Sequence, residues 1–218
     1  MRFVRLSLVL MLTFVVALIA GAQAPAQRGG QRGGDARGAQ AGGARGAAPA
    51  PPMTLATTAF PDGAQIPVKF SQAADGAAPG EGTSPALTWA NPPAGTQSFF
   101  LHMHDMEVSR NRTTDDQAHW VVWNIPATST GLPEGMPKGA QLPDGSYQIS
   151  ATGQVYRGPG APANGPPHHY VFEVYALDTK VDVQPAADAF ETRANVMKAI
   201  QGHILGKAVY LGLFKRPQ

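Results

Sequence analysis

The sequence contains no cysteine among its 218 residues. A chain without cysteine has no disulfide framework, no thiolate metal site and no cysteine nucleophile. Charged residues are also scarce, at 15% of the chain. The first 52 residues hold six of the 17 basic side chains but only one of the 15 acidic ones, so residues 53–218 carry a net charge of −3. Because nucleic-acid binding requires a basic surface, we expect no nucleic-acid partner.

Two patterns that many enzymes need are also missing. Serine and threonine are present, but no serine lies in a Gly-x-Ser-x-Gly turn. No residue pattern supplies the metal clamp that would assist a leaving group on a phosphate ester. We therefore expect a protein that is not an enzyme and that carries no cofactor.

Residues 1–22 have the three parts of a secretory signal peptide. Arg2 and Arg5 give a basic start, residues 6–20 form an apolar run of 15, and small residues follow, with cleavage expected after Ala22. An uncleaved membrane anchor is the alternative, but a membrane span needs about 20 apolar residues. The sequence thus predicts an exported protein, periplasmic or extracellular, with no stable membrane insertion after signal cleavage.

Residues 23–52 are rich in arginine, glycine, alanine and proline, with Arg-Gly-Gly occurring twice. Such a segment has almost no bulky apolar side chain to bury, so it cannot offset the entropy lost on ordering. We interpret it as a disordered linker; RNA binding by the Arg-Gly-Gly pairs is the alternative, which export disfavours. The folded domain is then 53–218.

Short runs of β-forming residues alternate with glycine- and proline-rich turns throughout residues 53–218. Several short strands separated by such turns are typical of an all-β sandwich or barrel. The runs are 54–60, 66–70, 86–89, 99–106, 119–125, 147–152, 169–177 and 208–214.

One segment has the pattern of a helix. Asp188 and Glu191 resemble a capping box, and Gly202 suits a helix end. The apolar residues between them recur at helical spacing, namely Phe190, Ala194, Met197 and Ile200. This C-terminal helix is expected to pack its apolar side against one edge or end of the sandwich.

The run 99–106 carries two sets of polar side chains. In an extended strand, His102 and His104 point to one side, whereas Asp105 and Glu107 point to the other. The order His102-x-His104-x-x-Glu107 resembles the metal motif of the cupins, although that family has three or four residues before its glutamate. A metal-dependent, cupin-like enzyme using His102, His104 and Glu107 is therefore an alternative function.

Several longer motifs follow one another along the chain. They are SPALTW at 84–89, PPAGTQS at 92–98, HWVVWNIP at 119–126, YRGP at 156–159, HHYVFEVYALD at 168–178 and GHIL at 202–205. Together they resemble the phosphatidylethanolamine-binding protein family, in its bacterial, Raf kinase inhibitor-like branch. The resemblance covers about residues 53–216.

That resemblance implies an antiparallel β-sandwich with a small pocket for an anion or a lipid headgroup. Two departures from the family pattern affect the pocket: Asp105-Met106-Glu107 replaces Asp-Pro-Asp, and residues 158–162 read GPGAP where the family has GPxPP. Carried over residue by residue, the ligand-binding residues are Asp105, Glu107, His119, Gly158, Pro159, His168 and Tyr170.

A phosphoethanolamine-like ligand suits such a residue set. Asp105 and Glu107 are expected to bind the ammonium, while His119 and His168 donate hydrogen bonds to phosphate oxygens, helped by backbone N–H groups of the 158–160 loop. If histidine protonation drives binding, phosphate affinity rises as the pH falls from about 8 to 6. The alternative within the same family is a modulator of an extracytoplasmic protein partner, acting through the pocket rim.

Overall fold

The computed structural model describes residues 50–110 and 112–218. The predicted signal peptide and residues 23–49 of the predicted linker lie outside the described residues. Nine strands, one short 3₁₀ helix and one α-helix are present in the described part of the chain. They are β1 (Thr54–Ala56), β2 (Ala64–Gln65), the 3₁₀ helix (Val68–Phe70), β3 (Leu87–Ala90), β4 (Ser98–Ser109), β5 (Asp116–Pro126), β6 (Gly131–Leu132), β7 (Tyr147–Ile149), β8 (His168–Leu177), α1 (Ala189–Ala199) and β9 (Ile204–Phe214).

The strands form two sheets, which confirms the predicted mainly-β fold with one helix. The larger sheet has the order β2-β9-β8-β4-β5-β7, and the smaller one the order β1-β3-β6. All pairs are antiparallel except β2 with β9, which is parallel. In the described residues, no helix is both long enough and apolar enough to cross a bilayer.

The central strands β4 and β5 are buried on both faces, which explains why their sequences read as nearly continuous apolar runs. Side chains on the inner face, such as Met103 and Trp120, join the core cluster that also contains residues of the smaller sheet. Alternate side chains, such as Phe100 and Trp123, belong to a second cluster that includes Val196 of α1. Each strand therefore presents successive residues to two different environments.

The helix begins as predicted, and part of its predicted apolar side is buried, since Ile200 belongs to the core cluster and Met197 packs against it. The Asp188 carboxylate accepts hydrogen bonds from the backbone N–H groups of Phe190 and Glu191, at 2.8 and 3.2 Å, which confirms the cap. The predicted apolar side is wrong at Ala194, which is exposed, and the buried helical residues are Thr192, Arg193 and Val196. An arginine is buried there because it pairs with Asp116 of β5. The helix contributes to the core cluster on the outer sheet face, where it contacts β5 and the edge strand β7, as the predicted packing against an edge requires.

Two predicted strands differ from the observed elements. The run 66–70 is not a strand: after Pro67, whose φ is −59°, the chain forms the 3₁₀ helix. The run 54–60 ends at Ala56, because the Thr57 hydroxyl donates to the Ala86 carbonyl and accepts from the Ala59 N–H, which bends the chain. The two-residue strand β6 is too short to be detected by residue alternation.

Candidate ligand-binding pocket

The sheet order brings three polar strand ends together. Because β4 lies between β5 and β8, Asp105 is paired with Gln117 on one side and with Tyr170 on the other. A cavity of about 340 Å³ opens at this end of the sheet. Its lining residues are Gln72, Asp105, Val108, Arg110, Gln117, His119, Arg157, Gly160, Ala161, Pro162, His168 and Tyr170. Four of the seven predicted ligand-binding residues, Asp105, His119, His168 and Tyr170, thus lie around one cavity.

Asp105 is the central carboxylate of this cavity and is only 3% exposed. Its two oxygens lie 3.0 and 2.9 Å from His168 Nδ1. One oxygen also accepts the backbone N–H of Glu107, at 3.1 Å. His119 is farther away, with Nε2 at 3.9 Å from Asp105 Oδ2. Asp105 and His168 therefore form a hydrogen-bonded pair, and His119 stands beside it without a direct bond.

The ring of His119 is fixed by its other nitrogen. His119 Nδ1 lies 3.0 Å from the carbonyl oxygen of Arg157, and since a carbonyl can only accept, Nδ1 carries the hydrogen. Burial lowers the pKa of His119 to about 3, so the neutral ring presents the lone pair of Nε2 on the side facing Asp105. The expectation that His119 gains a proton between pH 8 and 6 and donates to phosphate is therefore wrong.

Tyr170 supports the loop that closes the cavity. Its hydroxyl accepts the backbone N–H groups of Gly160 and Ala161, at 3.1 and 3.2 Å. Its ring packs edge-to-face against His119, with 5.0 Å between centroids. Burial, together with the nearby Asp105 carboxylate, raises the pKa of the Tyr170 hydroxyl. The N–H of Gly160, expected to bind the ligand, is thus already used by Tyr170.

Gly158 and Pro159 lie behind the cavity wall instead of lining it. A Cβ on Gly158 would come within 2.7 Å of the backbone of Ser71, so only glycine fits this close approach. The Pro159 carbonyl accepts the backbone N–H of Gln72 at 2.9 Å. These residues hold the 158–162 loop against the segment around Gln72, and the later loop residues reach the cavity.

Glu107 turns away from the cavity and is exposed. Its carboxylate accepts the backbone N–H of His169 at 2.7 Å, and its Oε1 lies 2.6 Å from the His169 ring nitrogen Nδ1. Partial burial raises the pKa of Glu107, but the hydrogen bonds from His169 outweigh it and lower the value. Glu107 is not among the residues that line the cavity, although its carboxylate comes within 4.8 Å of the polar atoms of Asp105 and His168.

Sequence reasoning missed the two positively charged residues of the cavity. Arg110 and Arg157 both line it, and the Arg110 guanidinium lies over the Phe190 ring of α1, 4.7 Å from its centroid. Arg157 donates from Nη1 to the Thr152 hydroxyl at 2.7 Å. Arg157 belongs to the YRGP motif, and Arg110 follows the polar end of β4. These positions in the sequence could have indicated that both arginines lie near the pocket. Asp105 is the only carboxylate among the described residues that line the cavity, so guanidinium groups outnumber carboxylates there by two to one.

A second polar cluster lies on the opposite face of β4, as the alternation predicts. His102 and His104 have parallel rings 4.4 Å apart and line a separate cavity of about 330 Å³ beside α1. The carboxylate that lies close to both rings is Glu173 of β8, not Glu107, so the cupin-like set His102, His104 and Glu107 is wrong. Burial lowers the pKa of His102. Burial also acts to lower the pKa of His104, but the hydrogen bond to Asp116 and the negative charge of Glu173 outweigh it and raise the value to about 9.

Comparison with known proteins gives consistent matches over the folded part of the chain. A UPF0098 protein of Methanothermobacter thermautotrophicus is 39% identical over 166 residues, which cover 75% of this chain and 99% of that protein. LppC of Mycobacterium tuberculosis, whose name describes it as a candidate lipoprotein, is 32% identical over 158 residues, covering 72% of this chain and 71% of that one.

A solved structure and a family model agree with these relatives. The crystal structure of YbcL from Escherichia coli, described as a member of the mammalian PEBP family, has a TM-score of 0.62 at 28% identity and covers 76% of this chain and 99% of that one. The family model for phosphatidylethanolamine-binding protein matches residues 56–215. That span contains the larger sheet, the helix, strands β3 and β6 of the smaller sheet and every residue that lines the cavity. The chain therefore belongs to the phosphatidylethanolamine-binding protein family.

Proposed function

We propose that this protein is an exported, non-catalytic binding protein whose cavity takes a small phosphate-bearing or zwitterionic ligand resembling phosphoethanolamine. One observation carries the proposal: two guanidinium groups, of Arg110 and Arg157, line a cavity whose single carboxylate is already paired with His168. Guanidinium groups bind phosphate through strong, charge-assisted hydrogen bonds. The volume of about 340 Å³ is near the small end for ligand pockets and suits a headgroup.

The two ends of the ligand find different partners in this proposal. Phosphate oxygens are placed next to Arg110 and Arg157, because His119 has no hydrogen to donate at Nε2. That lone pair and the neighbouring Asp105 carboxylate are acceptors, so they suit the ammonium of the ligand. The role first assigned to His119 thus passes to the arginines, while Asp105 keeps its predicted role.

Calorimetric titration of the full-length protein with phosphoethanolamine, inorganic phosphate and ethanolamine tests this arrangement. We expect phosphoethanolamine to bind more tightly than either half, and Arg157→Gln to weaken it by about 10- to 100-fold, the range for a charged hydrogen bond of about 1.5–3 kcal/mol. Arg112→Gln is the matched control, since Arg112 is exposed and does not line the cavity. Equal affinities for the wild type and Arg157→Gln, or no binding of any of the three compounds, would refute the proposal.

Export is part of the proposal and rests on the basic, apolar and small-residue order of residues 1–22, together with the name of the LppC relative. The test is to express the full gene in a bacterial host, fractionate the cells and sequence the N-terminus of the recovered protein. We expect a mature chain outside the cytoplasm that begins after Ala22. A full-length chain confined to the cytoplasm would contradict export.

Modulation of an extracytoplasmic protein partner is a second candidate, favoured by one residue at the cavity rim. Met106 is 55% exposed and lies between Asp105, inside the cavity, and Glu107, outside it. An exposed apolar side chain beside a ligand cavity suits a protein contact. Pull-down from an extracytoplasmic fraction should then recover a partner with wild type but not with Met106→Ser. A partner retained by Met106→Ser but lost with His119→Ala would place the contact in the cavity instead.

A further inference from the structure

The cluster on the outer face of β4 has the composition of a metal-binding site. His102 and His104 project from β4, and Glu173 projects from β8, where it is paired in register with His102. Glu173 Oε2 lies 3.7 Å from His102 Nδ1 and 3.6 Å from His104 Nε2. The three groups therefore offer two imidazole nitrogens and one carboxylate oxygen, all within 4.8 Å of one another.

The nitrogens that face Glu173 are buried and have no hydrogen-bond partner. His102 is only 5% exposed, and neither of its ring nitrogens is bonded; the same is true of His104 Nε2. Distances of 3.6 and 3.7 Å to Glu173 are too long for hydrogen bonds. A buried polar atom without a partner costs about 1–3 kcal/mol, so two adjacent rings left in this state need an explanation.

The opposite side of His104 is held as metal-bound histidines usually are. His104 Nδ1 bonds to Asp116 Oδ2, and Asp116 Oδ1 accepts from Arg193 Nη1 of α1 at 3.0 Å. A carboxylate on one ring nitrogen fixes the ring so that the other nitrogen can bind an ion. Glu173 is likewise held in place, by Lys207 and by the Tyr175 hydroxyl at 2.9 Å.

We propose that His102, His104 and Glu173 bind one divalent transition-metal ion of the Zn²⁺ class. Two ligands bonded to tetrahedral Zn²⁺ lie ~3.3 Å apart, and the two separations to Glu173 are only slightly larger. The rings are parallel within 2°, so one of them rotates on binding to bring both lone pairs onto the ion. Three protein ligands leave the fourth position open towards the cavity of about 330 Å³, as in zinc sites that bind water or a further ligand.

The surrounding charges favour a cation. The carboxylates at the cluster are those of Glu173, Asp115 and Asp116, and the cationic side chains are those of Arg193 and Lys207. Lys207 pairs with Glu173, and Arg193 pairs with both Asp115 and Asp116, so the five side chains together carry a net charge of −1 when both histidines are neutral. Imidazole and carboxylate together suit Zn²⁺ and its first-row neighbours better than Mg²⁺ or Ca²⁺, which prefer oxygen ligands alone.

Metal titration of the full-length protein tests the proposal. The protein is first treated with a chelator to remove any bound metal and is then titrated with Zn²⁺. Calorimetry and elemental analysis should then give one bound Zn²⁺ per chain. Proton–nitrogen spectra of the imidazole rings should show the His102 and His104 signals moving on addition of one equivalent of Zn²⁺. All six histidines of the chain lie in the described residues, so each signal has a known position in the fold.

Variants then locate the ion. His102→Gln and Glu173→Gln should each weaken Zn²⁺ binding at least about tenfold. Asp116→Asn, which orients His104 without being a ligand itself, should weaken it by about 10- to 100-fold. His203→Gln is the matched control, because His203 forms an exposed pair with Asp178 at 2.8 Å. No bound Zn²⁺ refutes the proposal. The proposal is also refuted if His102→Gln and Glu173→Gln leave Zn²⁺ binding unchanged. It is refuted too if His168→Gln abolishes Zn²⁺ binding, because the ion would then lie at the group of Asp105, Glu107 and His168 instead. If a variant does not fold, the wild-type ring spectra decide.

Discussion

Mild acid should destabilise this protein through His119. Burial holds the pKa of the folded-state ring at about 3, whereas an unfolded chain has the ordinary histidine value of about 6.5. Between these values the unfolded state binds a proton that the folded state does not, so the free energy of unfolding falls as the pH falls. The stabilisation is complete above about pH 6.5 and is lost on the way down to about pH 3.

The loss in the free energy of unfolding depends on how far the pH falls between the unfolded-state and folded-state pKa values of His119. Each pH unit is worth about 1.4 kcal/mol per proton, so His119 alone accounts for a loss of ~2 kcal/mol between pH 6.5 and 5. In this range most carboxylates are still ionised, which keeps acid protonation of Asp and Glu out of the comparison. His102, which is also buried with a lowered pKa, contributes in the same direction in the wild type and in any variant at position 119.

Urea unfolding at several pH values between 7 and 5 measures this loss in the wild type and in His119→Gln. The wild-type free energy of unfolding should fall by ~2 kcal/mol more than that of the variant over this range, whatever their difference at pH 7. His203→Gln is the control for loss of an exposed imidazole. Parallel curves for the wild type and His119→Gln, or a slope change just as large in the control, would refute the reasoning.

Three further substitutions test the framework around the cavity, each measured by urea unfolding. Gly158→Ala should cost at least about 1–3 kcal/mol, because its Cβ would meet backbone atoms at 2.7–2.9 Å, whereas Gly165→Ala, with its nearest neighbour 4.0 Å away, should cost little. Tyr170→Phe should cost about 1–3 kcal/mol by leaving two loop N–H groups without an acceptor, and it should weaken phosphoethanolamine binding as well. Asp188→Ala removes the helix cap and should cost about 1 kcal/mol without changing ligand affinity; a larger loss than for Gly158→Ala would contradict this ranking.

Local pattern was enough to predict much of the fold. The β-forming runs, the turns between them and the Asp188 cap are properties of neighbouring residues, and all were confirmed in kind except the run 66–70. The face of the helix was predicted less well, since Arg193 is buried by pairing with Asp116, 77 residues earlier in the chain. Such a contact outweighs the preference of a charged side chain for water, and it cannot be recognised from the neighbouring residues in the sequence.

For the candidate site, too, some features could be predicted from local pattern and others could not. Strand alternation alone separated His102 and His104 from Asp105, and the observed contacts agree. The convergence of Asp105 with His119 and His168 rested on the family resemblance, because the order of strands in a sheet is not encoded locally. Glu173 was missed for that reason: it reaches the two histidines only because β8 pairs with β4.

The peptide bond between His104 and Asp105 joins two sites that face opposite sides of one sheet. Deleting a single residue just before it would therefore not merely displace the polar groups. It would invert them, sending the histidine into the arginine-lined cavity and the carboxylate towards α1, because each step along a strand reverses the side-chain direction. This strand should accordingly tolerate substitutions far better than insertions or deletions, and a natural variant that has lost one residue here is expected to have lost both sites together.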